Sequence, residues 1–224
     1  MSNATTGGQA PRVPTTAAGT AATAGVAEAA PGFWGGSRLY GLAVTLLGAV
    51  GLYMSGLIMY DKIELMKDPD FVPACTINDV ISCTDVMQSS QASVFVFPNP
   101  FIGLFGFGVV ITVGVALLAG ARFRAWFWYG FLAGLVFAVG FVHWLAFEAV
   151  YSIEALCPYC MVVWSVVLPL FLITLVHIVW ERQRDAAGIH GADRYSFAGG
   201  WIMPVVVLVV WYAAFVVLIL AKFA

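Results

Sequence analysis

Residues 156–180 read LCPYCMVVWSVVLPLFLITLVHIVW, and this stretch decides the fold class. It contains no Asp, Glu, Lys or Arg. An apolar run of about 20 residues is long enough to cross the ~30 Å hydrocarbon core of a bilayer as an α-helix. Lipid offers no hydrogen-bond partner to an exposed backbone amide, so a spanning segment of this kind must be helical. The stretch therefore predicts a transmembrane helix that opens with a C-x-x-C motif.

The rest of the chain has the composition of a membrane protein. Hydrophobic residues make up 62% of the 224 residues and charged residues 10%, against about 45–50% and 25% in soluble domains. The net charge of −2 gives no basic field for nucleic acid. Four more apolar runs are long enough to span, at 39–60, 101–119, 125–147 and 201–221. We therefore predict an all-α membrane protein, a four-helix transmembrane bundle with a fifth, peripheral transmembrane helix.

Composition divides the chain into four parts. Residues 1–37 are rich in Ala, Thr, Gly and Pro without periodic apolar positions, which predicts a disordered tail. Residues 38–180 are expected to form the four-helix bundle, with a long outer loop at 61–99. Residues 181–200 are expected to be a cytoplasmic loop, and residues 201–224 the fifth helix.

The placement of basic residues predicts the orientation in the membrane, because cytoplasmic segments carry an excess of Lys and Arg. With the N-terminus inside, seven basic residues fall on the inner side and three on the outer side. The inner ones are Arg12, Arg38, Arg122, Arg124, Arg182, Arg184 and Arg194, and the outer ones are Lys62, Lys67 and Lys222. We therefore expect a cytoplasmic N-terminus.

All four cysteines of the chain then lie on the outer side. Cys75 and Cys83 follow one span, and Cys157 and Cys160 follow three, so an odd number of crossings precedes each pair. Disulfides persist outside the cytosol, where cytosolic reductants do not reach them. The arrangement favours a relay in which two cysteine pairs exchange electrons.

Cys157 and Cys160 lie one turn apart at the start of a helix, where the first backbone amides lack partners and stabilise negative charge. The thiolate is the reactive form, so this position favours a nucleophilic cysteine. Pro158 fits the first helical turn, because its missing N–H would be unsatisfied there. We expect Cys157 nearer to water and Cys160 deeper, beside a membrane-soluble electron acceptor. A structural disulfide is the alternative.

Cys75 and Cys83 lie in the outer loop, and several interpretations of them stay open. Taken alone, they would form a stabilising bridge. Beside a C-x-x-C on the same face they become a shuttle pair, because thiol–disulfide exchange moves two electrons through a mixed disulfide. Four thiolates could also bind zinc, but C-x7-C with one C-x2-C lacks the paired short spacings of zinc sites, so we predict no metal.

Asn99 precedes Pro100 at the start of the second span, and two roles for it stay open. It could cap the helix, with Pro100 in the first turn. Its amide could instead donate a hydrogen bond to a ligand carbonyl near the thiols. His143, late in the third span, is an ionisable residue at membrane depth and therefore a candidate proton relay.

The combined order of these features resembles the vitamin K epoxide reductase family, specifically its bacterial homologues. The order is a span, a loop with two cysteines, Pro-Asn before the next helix, and C-x-x-C opening the fourth span, over about 38–180. The resemblance implies a four-helix bundle around a quinone, menaquinone or ubiquinone, in the bacterial inner membrane. It also implies that Cys157 and Cys160 are the redox centre, with Cys160 next to the quinone. Cys75 and Cys83 match the loop pair that passes electrons to them.

The resemblance extends to three further residues of the expected quinone site. Asn99 matches the asparagine that hydrogen-bonds a quinone oxygen, and Ser89 falls where the family has a loop serine or threonine. Trp164 stands where vertebrate members have a tyrosine, four residues after the C-x-x-C. The hydroxyl of that tyrosine is missing here, so its ligand contacts and anticoagulant sensitivity are not carried over.

The function that the resemblance implies is quinone-dependent thiol oxidation. A thioredoxin-fold thiol oxidase on the outer face would reduce the Cys75–Cys83 bridge, and the electrons would pass through Cys157 and Cys160 to the quinone. Many bacterial members carry such a domain after the fifth span, whereas this chain ends at Ala224, so we expect a separate partner protein. Two alternatives stay open: quinone or vitamin K epoxide reduction as the primary role, and a non-enzymatic scaffold or transporter with structural disulfides.

Overall fold

The structure is a computed structural model, and it describes residues 33–187 and 202–223. Within them the helices are α1 (Arg38–Lys67), α2 (Cys83–Gln88), α3 (Pro100–Leu118), α4 (Ala125–Glu148), α5 (Pro158–Ala186) and α6 (Ile202–Phe223). Shorter elements are the strands β1 (Phe33–Trp34) and β2 (Phe123–Arg124), a 3-10 turn (Ser90–Ser93) and a π-helical turn (Ala149–Ile153). All the α-helices except α2 are long and apolar enough to cross a membrane. The prediction of an all-α multi-pass membrane protein is confirmed.

Local chemistry accounts for where the spanning helices begin. The Ser37 hydroxyl accepts a hydrogen bond from the backbone N–H of Tyr40 and caps α1. Pro100 and Pro158 occupy the first turns of α3 and α5, where a missing N–H costs nothing. Cys157 is the residue that caps α5. The helix starts that carry the cysteine motif and the asparagine are therefore fixed by the sequence around them.

Two helices are longer than the sequence predicted. The predicted outer loop begins as two further turns of α1, which continues to Lys67. Ile58, Asp61 and Leu65 are buried along one side of these turns at helical spacing, although the charges nearby suggested a loop. The predicted cytoplasmic loop likewise begins inside α5, which ends at Ala186.

The predicted disordered tail is wrong at its C-terminal end. β1 pairs antiparallel with β2, which lies between α3 and α4. Trp34 is buried, its carbonyl accepts a hydrogen bond from the Trp128 indole at 3.2 Å, and its own indole donates to Asp185. Aromatic packing therefore pins the chain ahead of α1 to the bundle. Residues 1–32, and all of the predicted loop beyond residue 187, lie outside the described residues.

The four bundle helices pack through small residues and a continuous apolar core. A Cβ atom on Gly114 of α3 would lie 2.8 Å from the backbone nitrogen of Thr45 in α1, so the two backbones are in close contact. α5 packs against both α1 and α4. Leu170 of α5 and Trp128 of α4 are fully buried in this core.

α6 is peripheral, as predicted, and most of its side chains are exposed. The Trp211 indole donates to Nε2 of His143 at 2.6 Å, and the Tyr212 hydroxyl donates to the Ser165 carbonyl at 2.6 Å. Nδ1 of His143 is engaged with the Val139 carbonyl at 2.7 Å. Both ring nitrogens are therefore occupied, and His143 ties α6 to α4 instead of offering a free proton relay.

Candidate active site

Local bonds fold the loop that carries the first cysteine pair. Oδ1 of Asn78 accepts hydrogen bonds from the backbone amides of Val80 and Ile81, and these bonds stabilise a turn. The hydroxyl of Ser82 caps α2. A disulfide joins Cys75 to Cys83, with their Cα atoms 5.7 Å apart. The bridge therefore lies at the first residue of α2, in a loop with a defined conformation.

Two backbone hydrogen bonds hold this loop against the start of α5. The N–H of Leu156 donates to the Val80 carbonyl at 2.7 Å, and the N–H of Ser82 donates to the Leu156 carbonyl at 3.1 Å. Leu156 directly precedes Cys157, and Ser82 directly precedes Cys83. The same bonds therefore set the position of Cys83 relative to Cys157.

The second cysteine pair opens α5 as free thiols. Cys157 is 1% exposed, and its Sγ accepts a hydrogen bond from the Cys160 backbone N–H at 3.4 Å. Hydrogen bonding from the Cys160 thiol, with help from the backbone amides of Cys160 and Tyr159, lowers the pKa of the Cys157 thiol, although burial acts in the opposite direction. This is the environment of a nucleophilic cysteine.

The two pairs meet through one sulfur of each. Sγ of Cys83 lies 3.2 Å from Sγ of Cys157, and both residues are buried. Exchange begins when a thiolate attacks one sulfur of a disulfide, so Cys83 is the loop sulfur that Cys157 can reach directly. The Sγ atoms of Cys75, Cys83 and Cys157 all lie within 4.8 Å of one another. Because two of them are joined in a disulfide, this grouping suits exchange better than metal binding.

A cavity of about 630 Å³ lies beside the helix pair. This volume is within the usual range for small-molecule sites, about 300–1,000 Å³. Cys157 and Cys160 line it together with Ser89, Asn99 and Trp164. The rest of the wall is mainly apolar, with Phe105, Phe131, Leu135, Phe141, Val167 and Leu170 among its residues. All the residues expected at the quinone site border this one cavity, and the loop bridge does not.

The side chain of Asn99 does not cap α3, contrary to one of its two predicted roles. Its Nδ2 donates to the Gln91 carbonyl at 2.7 Å, and its Oδ1 accepts from the Val94 N–H at 3.2 Å. The amide therefore anchors the outer loop to the start of α3. An asparagine NH₂ has two donor hydrogens, so one donor is left for a ligand. The Ser89 hydroxyl donates to the Val86 carbonyl at 2.8 Å and can still accept a hydrogen bond.

Trp164 connects the cavity to the peripheral helix. It is 4% exposed and lies edge to face with Phe215 of α6, with ring centroids 5.7 Å apart. Trp164 presents an apolar ring at the position where the sequence comparison expected a tyrosine hydroxyl in vertebrate members of the family. α6 therefore supports one wall residue of the cavity from behind.

Sequence reasoning missed Asp61, because it treated this residue as the first of an exposed loop. Asp61 is 7% exposed, and its Oδ2 lies 4.0 Å from Sγ of Cys75. The signal in the sequence was the helical spacing of 58, 61 and 65, which places the carboxylate on a buried side.

Comparison with protein-family models matches residues 42–175 to the vitamin K epoxide reductase family. This is more than half of the chain, and it includes the loop pair, Asn99 and the C-x-x-C. No curated protein matches the sequence.

Proposed function

The chain belongs to the vitamin K epoxide reductase family of quinone-coupled thiol–disulfide oxidoreductases, and from this premise we propose that it oxidises a thioredoxin-fold partner. The partner delivers its electrons to the Cys75–Cys83 bridge, and they leave through Cys157 and Cys160 to a membrane quinone. The single observation that carries this proposal is the 3.2 Å contact between the sulfurs of Cys83 and Cys157.

The contact between the sulfurs of Cys83 and Cys157 supports a particular order for the relay. A partner thiolate attacks Cys75, and Cys83 leaves as a thiolate. Cys83 then attacks Cys157 of the oxidised helix pair, Cys160 leaves, and a Cys83–Cys157 mixed disulfide forms. The second thiol of the partner closes the disulfide of the partner and frees Cys75. Cys75 attacks Cys83 and releases Cys157, so the loop bridge is closed again and the helix pair holds both electrons.

The cavity fits a quinone, which is an apolar ring with two carbonyl acceptors. A quinone bound there takes up two electrons and two protons from the helix pair. Asn99 offers its second amide N–H to a quinone oxygen, and the apolar wall excludes water from the ring. We propose menaquinone or ubiquinone as the natural acceptor, with Ser89 and Trp164 contacting the ring or its carbonyls.

We also propose that the cysteines face the extracytoplasmic side of a bacterial inner membrane. Arg38 begins α1, Arg124 precedes α4, and Arg184 lies in the last turn of α5. These positions are at the bundle end opposite to the cysteines. An excess of arginine marks the cytoplasmic side, which puts the N-terminus inside and the thiols outside.

The test measures quinone reduction by the purified full-length chain in nanodiscs. A reduced thioredoxin-fold protein is added, and the quinone absorbance is recorded over time. Cys75→Ser is expected to reduce the partner-driven rate to background, because the partner has no sulfur to attack. The same variant is expected to keep quinone reduction driven by dithiothreitol, a small dithiol that can attack Cys160, the more exposed member of the helix pair. Partner-driven reduction at the full rate in Cys75→Ser would contradict the proposed relay.

A further inference from the structure

Asp61 lies beside the Cys75 sulfur of the loop bridge. Its Oδ2 is 4.0 Å from Sγ of Cys75, whereas the sulfur in contact with Cys157 is that of Cys83. When Cys75 becomes a thiol, its S–H is a weak donor that faces the carboxylate acceptor of Asp61. The Cys75 sulfur, which leaves or attacks during exchange, therefore has a carboxyl group next to it.

Asp61 lies beside a mainly apolar cluster, and Tyr159 of α5 is a titratable residue close enough to interact with it electrostatically. Ile58, Leu65 and Met87 pack with the cysteines in one buried cluster. Among the described residues, no basic side chain forms an ion pair with Asp61. The adjacent Lys62 instead donates to the Met87 carbonyl. An unpaired carboxylate is costly in such a setting, so taking up a proton relieves that cost.

The relay needs such a group, because Cys75 changes its protonation state in every exchange. As a leaving group, Cys75 departs as a thiolate into a buried cluster, where a lone charge is poorly solvated. As a nucleophile, it must first lose its proton.

From this geometry we propose that Asp61 is a further catalytic residue, the general acid and base that carries the proton of Cys75 in exchange between the two pairs. In the forward step, the Cys75 thiol gives its proton to Asp61, the Cys75–Cys83 bond forms, the Cys83–Cys157 bond breaks, and Cys157 leaves with the electron pair. In the reverse step, Cys157 attacks Cys83, and Asp61 protonates the departing Cys75. This proposal rests on the proposed relay, whose order it deepens.

The test uses the reverse step in full-length protein that carries Cys160→Ser, with neither quinone nor partner present. There, Cys157 can attack Cys83, and the freed Cys75 is trapped by an alkylating reagent in excess and located by mass spectrometry. Asp61→Asn in this background is expected to slow the labelling of Cys75 by at least about 100-fold, the usual contribution of general acid–base catalysis. Glu64→Gln, which removes a carboxylate that binds Lys67 on the same helix, is expected to leave the rate unchanged.

A second variant separates proton transfer from a change in packing. Asp61→Ala leaves room for a small acid, and added formate is expected to restore part of its labelling rate. Correct folding of each variant is checked by closure of the Cys75–Cys83 bridge before the assay. If Asp61→Asn does not fold, rescue of Asp61→Ala by formate decides the question.

The outcomes are distinct for the two proposals. Labelling of Cys75 at equal or higher rates in the Asp61 variants overturns the role of Asp61 alone, and so does a slow Asp61→Ala that formate does not accelerate. Absence of Cys75 labelling in parent molecules whose Cys157 is itself unlabelled by mass spectrometry overturns the relay order as well, because no exchange between Cys83 and Cys157 then takes place.

Discussion

Cys157 combines burial with the hydrogen bonds of a reactive thiolate. Burial raises the pKa of a thiol, whereas the hydrogen bond from Cys160 and the amides at the start of α5 lower it, and these bonds prevail. The sequence could predict that backbone amides at the start of α5 would stabilise the Cys157 thiolate, because C-P-x-C at a helix start is a local pattern. It could not predict the contact with Cys83, which depends on hydrogen bonds between Leu156 and the distant loop.

Replacing Cys160 with alanine is expected to raise the pKa of Cys157, because it removes the largest cause of the lowering. The thiolate then forms only at higher pH. Alkylation of Cys157 is therefore slower at neutral pH, and the midpoint of its pH profile moves to higher pH. The measurement is the pH profile of iodoacetamide labelling in a Cys75→Ser, Cys83→Ser background. Cys160→Ser keeps a hydroxyl donor and is expected to give a smaller shift. An unchanged midpoint in Cys160→Ala contradicts this account of Cys157.

The close contact of α1 with α3 depends on a glycine where the two backbones meet. Gly114 of α3 faces the backbone of α1, whereas a Cβ atom on Gly108 of the same helix would meet nothing within 4 Å. Both are glycines in an apolar helix, and the sequence does not distinguish them. Only the packed neighbour decides which one is required.

Gly114→Ala is expected to destabilise the protein by about 1–3 kcal/mol, the usual cost of overpacking a close contact. Gly108→Ala is expected to be neutral or to stabilise by about 0.4–1 kcal/mol, because alanine restricts the unfolded chain more than glycine does. Thermal unfolding of the two variants in the same detergent measures the difference. Equal midpoints for the two variants would contradict a close contact between the α1 and α3 backbones at Gly114.

At the scale of the whole molecule, the sequence predicted the spans because hydropathy and length are local properties. It also predicted that Ser89, Asn99, Cys160 and Trp164 belong together, through the family resemblance, and all four border one cavity. The added turns of α1 and the pinned Trp34 were missed, because each depends on burial against distant segments. Asp61 was missed together with the added turns, although the helical spacing of positions 58, 61 and 65 is visible in the sequence.

The loop pair, the helix pair and the cavity lie in series within one end of the bundle. Cys75 is separated from the cavity by Cys83 and Cys157, which are in contact with each other. In the proposed relay, electrons pass from the loop to the cavity by exchange between these two sulfurs, which make the shortest contact between the pairs. Every other part of the proposed function depends on that exchange.

The most direct measurement compares two full-length variants that each keep two cysteines, with serine at the other two positions. One keeps Cys83 and Cys157, and the other keeps Cys75 and Cys157. Both are oxidised under the same mild conditions, and the cross-linked fraction is followed by mass spectrometry. We predict fast and nearly complete cross-linking of Cys83 to Cys157 and slow, partial cross-linking of Cys75 to Cys157. Equal or faster cross-linking of Cys75 contradicts the relay.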